Sequence, residues 1–490
     1  MTFEELAQYA AQGYTRVPLV REIRADLDTP LSTFLKFADA PDAFLLESVE
    51  GSETWGRYSI IGLPVRERVE VRGRHWRRLQ DGHVVEAREV DDPLAEVAAL
   101  MAAERVPALP GLPAFAGGWV GYFGFETLAY IEPRLGRQVP PDQLDTPDIL
   151  LLRCEELAVL DNRKGKLMLI VHAATGDAAA LAQAERRLNQ LTRRLRGPAS
   201  SYPEVLDPIA LDESHFVSGF TQEGFEAAVR RVQEYILAGD AFQVVLSQRM
   251  SVPFRARPID VYRALRTLNP SPYMYFLDLE GMQVVGSSPE ILVRLKDREV
   301  VVRPIAGTLP RGADAAADAA NAERLLADPK ECAEHLMLID LGRNDVGRVA
   351  EAGSVRVPDQ MVIERYSHVM HIVSQVVGRL REGLDIMDVL RATFPAGTLS
   401  GAPKIRAVEI IQELEPVKRN IYGGAVGYIN WQGEADLAIA IRTAVIKDGQ
   451  LHVQAGAGIV ADSVPAKEWE ETLNKGRALF RAVSEAVRGL

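Results

Sequence analysis

The segment Lys447-Asp448-Gly449-Gln450 does more than any other to limit the fold. It stands between two apolar runs, DLAIAIRTAVI and LHVQAGAGIV, where an Asp-Gly pair is a strong hairpin signal. LQDGHVV and NRKGKLMLIV put further tight turns between alternating segments. Strands joined by such turns pair antiparallel, because parallel neighbours need long crossovers. The implied class is α+β, with helices alternating with strand pairs in the C-terminal part, not a doubly wound parallel sheet. Neither a Gly-rich dinucleotide fingerprint nor a GxxxxGK[ST] phosphate loop occurs.

A chain of 490 residues is too long for one ordinary core, so two large units are expected. Residues 196–214, RGPASSYPEVLDPIALDES, are rich in Pro, Ser and Asp and lack an apolar period, so they read as a linker. Before them, in residues 1–195, lie short strand-like runs (AFLLESVE, GRYSIIG, VRERVEVRG) and a helix over roughly 178–195. After them, in residues 215–490, Thr221 is placed to cap a helix carrying Phe225, Val229, Val232 and Ile236 on one stripe. Strands of the two regions are free to interleave across the linker.

An apolar fraction of 47% with 25% charged residues belongs to a globular protein. The net charge of −12 argues against nucleic acid, which needs a basic face. Cys154 and Cys332 show no zinc spacing or disulfide framework, and two thiols in so long a chain fit a reducing cytoplasm. The start, MTFEELAQYAAQG, lacks the basic and apolar parts of a signal peptide, and no apolar run approaches a membrane span of about 18 residues.

Two helices carry paired glutamates. Asp328-Pro329-Lys330-Glu331 is a good helix start, expected to run to Gly342 with Ala333, Leu336 and Met337 packing away from Glu331 and Glu334. Glu331 and Glu334 are three apart and share a face. A second helix from about Pro465 puts Glu468, Glu471 and Lys475 along one stripe, with Trp469, Leu473 and Phe480 on its apolar face. Two carboxylate pairs suit Mg²⁺, which takes one or two carboxylates, keeps waters and bridges to an anion. By spacing alone, solvated helix faces are the commoner reading of such glutamates, with Glu331 a capping partner.

The surroundings add to the metal reading. Arg442 stands in a nearly unbroken apolar run, where a buried guanidinium needs a carboxylate partner, either a structural Asp or a substrate. QAGAGIV offers backbone N–H groups between small residues, which suits an anion as well as close packing. RPIAGTLPRG and TFPAGTLSGAPK read as further small-residue turns.

In order along the chain, LLES, GDAFQVVLSQR, NPSPYMYFL, GSSPE, RPIAGTLPRG, ECAEHLMLIDLGRNDVGRV, YSHVMHIVS, FPAGTLSGAPK, YGGAVGY, IAIRTAV, QAGAGIV and EWEETLNKGRA resemble the chorismate-utilising enzyme family, and within it the large subunits of anthranilate synthases. The resemblance spans nearly the whole chain. It implies large antiparallel sheets packed as a sandwich with helices outside. It also implies Mg²⁺ on Glu334 and Glu471, with Glu331 and Glu468 in support. Chorismate carboxylates would meet Arg442, Tyr422, Lys475, Gly307, Thr308 and the backbone at Gly456, Ala457 and Gly458. Glu290 in GSSPE matches the family's suspected general acid, and His371 and Thr398 match residues beside the reacting ring; His371, not His368, aligns with the family histidine.

Two positions separate the branches. Water-using members carry a lysine base where this chain has Gln243, and aminodeoxychorismate synthases carry a reactive lysine where it has Ala306. Both substitutions favour ammonia as nucleophile and anthranilate as product, the first step of tryptophan biosynthesis. The chorismate-binding subunit of aminodeoxychorismate synthase is the alternative, and a non-catalytic tryptophan-sensing scaffold a third reading. LLES and SPYM resemble a feedback site for L-tryptophan, with Ser48, Pro272, Tyr273 and Met274 as its contacts, making 1–195 a regulatory region. Neither cysteine has a glutaminase context, so the resemblance implies a separate glutamine amidotransferase subunit, two copies of each chain assembling together.

Overall fold

The computed structural model describes residues 1–38, 40–48, 57–198, 211–366 and 369–490. Most of the 196–214 connection, and His368, lie outside the described residues. The Asp-Gly turns form as their chemistry requires. Asp448 and Gly449 sit at φ +51° and +72° and join Thr443–Lys447 to Gln450–Ile459. Asp81 and Gly82, at +49° and +75°, join His75–Gln80 to His83–Glu89. Two successive positive φ values are the type I′ turn, whose twist matches that of the flanking strands.

The described strands gather into two twelve-stranded sheets of antiparallel neighbours. Each sheet draws on both stretches of sequence. In the first, Ala43–Glu47 pairs with Tyr273–Leu279, which continues through Met282–Ser288, Thr443–Lys447 and Gln450–Ile459 to Gln243–Pro253. In the second, Gly118–Phe123 pairs with Ala425–Asn430, and the sheet proceeds through Ala435–Ile439, Ile291–Lys296 and Glu299–Val302 to Val369–Arg379 and Ile305–Pro310.

The sheets face each other across one apolar layer, where Phe44, Tyr275 and Val284 meet Val120, Tyr122 and Leu150. Helices cover the outer faces. Pro465–Arg488 and Pro258–Leu268 pack on the first sheet, burying Phe480, Tyr262 and Leu265. Pro329–Gly347 and Ile386–Thr393 pack on the second, burying Ile339, Val346 and Leu390. Each such side chain removed from water contributes about 1.5–3 kcal/mol. The expected α+β sandwich with outer helices is the architecture found. Among the described residues no helix is long and apolar enough to cross a membrane.

Three local expectations are corrected. The Pro329 helix passes Gly342 and ends at Gly347, because Gly342 is a packing site: a Cβ there would lie 3.4 Å from Val376 and 3.6 Å from Val302. Its buried face is His335, Leu338 and Ile339, while Ala333 and Leu336 are exposed. The run DLAIAIRTAVI is two strands in different sheets, Ala435–Ile439 and Thr443–Lys447, with Arg442 at the crossing. The two small-residue "turns" are the strand Ile305–Pro310, irregular at Gly307, and the short helix Gly397–Ser400.

Candidate active site

The crossing at Arg442 makes a corner. Arg442 has φ +50°, a conformation that costs a bulky residue on the order of 1–3 kcal/mol and persists only where its surroundings fix it. Its carbonyl accepts the N–H of Ser287 at 3.1 Å. Beyond the corner, Thr443–Lys447 pairs with Gln450–Ile459 only as far as Val453. Gly456, Ala457 and Gly458 are therefore paired on one side by Ser247, Leu246 and Val245, and no strand covers their other edge among the described residues. Tyr422 and Lys475 close in on the same place: a Cβ on Gly456 would be 3.0 Å from the Tyr422 hydroxyl, and Lys475 Nζ donates to the Gly456 carbonyl at 2.9 Å. The half-buried Arg442 guanidinium makes no hydrogen bond or ion pair with any described residue. Loss of water around it lowers its proton affinity, only partly offset by Tyr422 and Glu290.

Glu290, 7% exposed, follows the strand Met282–Ser288. Burial pushes its carboxyl up to about 8, against the opposing pull of the Thr398 hydrogen bond and of Lys475 and Arg442. Thr398 Oγ1 donates to Glu290 Oε1 at 3.0 Å and fixes the carboxyl's orientation. A carboxyl held this way is a neutral acid at pH 7.

His371 lies on Val369–Arg379, cross-strand from Thr308. Its Nδ1 is 3.1 Å from the Gly307 carbonyl and 3.0 Å from Thr308 Oγ1. With the proton on Nδ1 to serve the carbonyl, Nε2 is left as a base. Burial lowers the imidazole's proton affinity, and Arg442 lowers it further. It is neutral at neutral pH.

The four glutamates enter from two helix N-termini. Asp328 caps Pro329–Gly347 by accepting from the N–H groups of Lys330 and Glu331, and no capping box engages the Glu331 side chain. Burial raises Glu331's pKa, and the charges of Glu334 and, from the other helix, Glu471 raise it further. Burial likewise raises Glu468, opposed by a hydrogen bond from Ser463 and reinforced by Glu471. Like charges drawn together from two elements favour a cation between them. Glu334 accepts from the Gln243 amide at 2.9 Å, and Glu471 pairs with Lys475 at 2.7 Å. Among the described residues no group of three or more His, Cys, Asp or Glu closes to metal-binding distance. The donor set fits a hard cation that uses one or two carboxylates and completes its shell with water and an anionic ligand.

Ser48, Pro272, Tyr273 and Met274 line a separate cavity of about 710 Å³ between the sheets. Glu290, His371, Glu331, Glu334, Glu468 and Glu471 are not among its lining residues. Shifted groups occur here too, since burial raises Asp436 to about 6, but the acid, the imidazole and the guanidinium gather at the Arg442 corner. Glu290 and Thr398 line a small recess of about 50 Å³.

Two contributors carried no sequence signal as such. Arg419 and Glu415 form a buried ion pair, 2% exposed on each side. Arg419 also donates to the Leu399 carbonyl beside Thr398 and to Val245 in the strand of Gln243, at 2.6 and 2.7 Å, and its guanidinium lies 5.6 Å from the Tyr422 ring. Gln243 was read only for what it cannot do as a base; its hold on Glu334 needed the fold.

The family profile described as "chorismate binding enzyme" matches residues 60–481. The anthranilate synthase component 1 of Pseudomonas putida is 58% identical, over 99% of this chain and 99% of that protein. Its counterpart from Pseudomonas aeruginosa is 58% identical over 100% of both chains. The crystal structure of anthranilate synthase component I from Streptococcus pneumoniae superposes with a TM-score of 0.78 at 38% identity, covering 94% of this chain and 99% of that one. The menaquinone-specific isochorismate synthase of Escherichia coli, at 19% identity and a TM-score of 0.70, shares the fold. The chain belongs to the chorismate-binding enzyme family, in its anthranilate synthase component 1 group.

Proposed function

We propose that this chain converts chorismate and ammonia to anthranilate and pyruvate at the Arg442 corner, as the large subunit of an anthranilate synthase. The observation that carries the reading is the Arg442 guanidinium, unpaired among the described residues, beside a buried Glu290 whose carboxyl is pushed up to about 8. A cation without a partner meets the substrate's carboxylate, and a neutral acid stands ready for a poor leaving group.

Arg442, Tyr422, Lys475 and the open backbone edge at Gly456, Ala457 and Gly458 hold and orient the carboxylates, with Gly307 and Thr308 on the facing strand. Ammonia forms a bond to ring carbon 2 as the carbon–oxygen bond at carbon 4 breaks. Glu290 donates its proton to the departing hydroxide, which leaves as water. The new ammonium group gives up one proton to solvent. The carbon 2 proton then passes to a base, the role that suits His371 Nε2, as the carbon 3–oxygen bond breaks. The departing enolpyruvate takes up a proton at its methylene carbon to become pyruvate. Thr398 holds Glu290 in place throughout. Mg²⁺, when bound by Glu334 and Glu471 with Glu331 and Glu468 supporting, would neutralise the ring carboxylate and so favour binding of a dianion to an acidic protein.

Gln243 and Ala306 support this branch of the family, since neither an amide nor a methyl can supply the basic or nucleophilic nitrogen of the alternatives. Ammonia would come from a glutamine amidotransferase subunit, with free ammonium as a substitute. L-tryptophan would occupy the cavity at Ser48, Pro272, Tyr273 and Met274 and raise the chorismate requirement. The test is turnover: purified chain with chorismate, ammonium and Mg²⁺ should give anthranilate fluorescence and pyruvate in equal amounts. A stable aminated chorismate without pyruvate would move the chain to the aminodeoxychorismate branch, and no turnover would make it a scaffold.

A further inference from the structure

Tyr275 belongs to the wall of the 710 Å³ cavity, yet its side chain reaches towards the other site. In register across three strands stand Tyr275, Gly286 and Thr443. The middle position has no side chain, and the Tyr275 ring lies across it: a Cβ on Gly286 would fall 2.1 Å from the ring. The ring therefore spans a whole strand and brings its hydroxyl to Thr443 Oγ1, at 2.5 Å. Both residues are buried, at 2% and 5% exposure. Thr443 Oγ1 gives its one proton to the Ile441 carbonyl at 2.9 Å, so the Tyr275 hydroxyl is the donor between the two.

Ile441 and Thr443 are the two neighbours of Arg442. The threonine hydroxyl thus bridges the chain across the arginine, while the Ile441 N–H turns back to the Ile439 carbonyl at 2.8 Å. Ser287, next to Gly286 on the strand beneath the ring, donates its N–H to the Arg442 carbonyl. A left-handed arginine held at φ +50° needs such over-determination, and the Tyr275 hydroxyl fastens one side of it to the cavity wall.

We infer that Tyr275 is a positioning residue for Arg442, and that its hydroxyl, laid across Gly286 onto Thr443, links the wall of the effector cavity to the substrate's carboxylate anchor. The inference rests on the proposed roles of Arg442 and of the cavity. A ligand that moves Tyr275 acts on Arg442 through Thr443, so substrate affinity, not the chemical step, is what changes.

The test uses the full chain with saturating ammonium and Mg²⁺. Tyr275→Phe removes only the hydroxyl, Thr443→Val breaks the same link from the other side, and Thr443→Ser keeps it. Losing one neutral buried hydrogen bond corresponds to about a 3- to 10-fold change in an equilibrium. Tyr275→Phe and Thr443→Val should each raise KM for chorismate by that factor with kcat within about two-fold. Thr443→Ser should restore the normal KM. Tryptophan should bind Tyr275→Phe with its usual Kd by calorimetry, yet raise KM by a smaller factor than in the unaltered protein. A purely structural role would lower Tm and leave KM alone. Arg442→Lys is the control. If it raises KM while Tyr275→Phe and Thr443→Val leave it unchanged, the inference is wrong and the site reading stands. If Arg442→Lys also leaves KM unchanged, both fall.

Discussion

Replacing Glu290 by Gln should make the protein more stable and inactive, with a stability gain that grows with pH. The carboxyl's pKa rises from an ordinary 4.5 to about 8 on folding. At about 1.4 kcal/mol per pH unit, that difference amounts to roughly 5 kcal/mol at full extent. The folded state binds the proton more tightly than the unfolded state. Between pH 4.5 and 8 the unfolded chain has released it while the folded chain still holds it, so stability falls as pH rises through that window. At pH 7 the loss relative to pH 4 is roughly 3 kcal/mol. Glutamine keeps the shape, carries no ionisable proton and escapes the penalty. Denaturant unfolding of both proteins at pH 5, 7 and 8.5 measures the difference, which should widen in favour of the variant at each step. Turnover should drop by about 10²- to 10⁴-fold, the usual contribution of a general acid. In the unaltered protein, kcat/KM for chorismate should fall above about pH 8 as Glu290 ionises. A stability difference independent of pH, or a variant within ten-fold of normal turnover, would refute the buried-acid reasoning.

Other outcomes follow from the same geometry. Glu334→Gln and Glu471→Gln should each weaken Mg²⁺ binding by calorimetry and abolish turnover while Tm stays near normal, because the side chains sit at helix N-termini outside the apolar core. His371→Asn should slow pyruvate release more than amination, so rapid quenching should show an aminated intermediate accumulating. Arg419→Met leaves Glu415 as a buried charge without its partner and should cost about 3–5 kcal/mol, read as a lowered unfolding midpoint.

The legible parts of the fold were those governed by local chemistry. Asp448-Gly449 announces its turn because few other pairs accept two left-handed residues in a row. Thr221 announces its helix because its hydroxyl accepts the Gly224 N–H. The Pro329 start is legible because Asp328 caps it, and the Pro465 start because proline suits the first helical position; together they place the four glutamates. What could not be read depends on partners distant in sequence. Gly342 looks like a helix stop until Val302 and Val376 are packed against it. The apolar run around Arg442 has the periodicity of one strand, and nothing local says that the chain changes sheets there. Arg419 becomes important only once Leu399, Val245 and Tyr422 surround it. At the site, motif order named the residues, but the convergence of Glu290, Arg442, Lys475 and His371 is a property of the two sheets meeting.

The central claim is that chemistry happens at the Arg442 corner and not in the larger cavity between the sheets. A crystal of Glu290→Gln soaked with chorismate and Mg²⁺ tests it most directly. The account predicts a chorismate carboxylate on Arg442, the metal between Glu334 and Glu471, and ring carbon 4 facing residue 290. Chorismate bound instead among Ser48, Tyr273 and Met274, with Arg442 and the glutamates untouched, would contradict it.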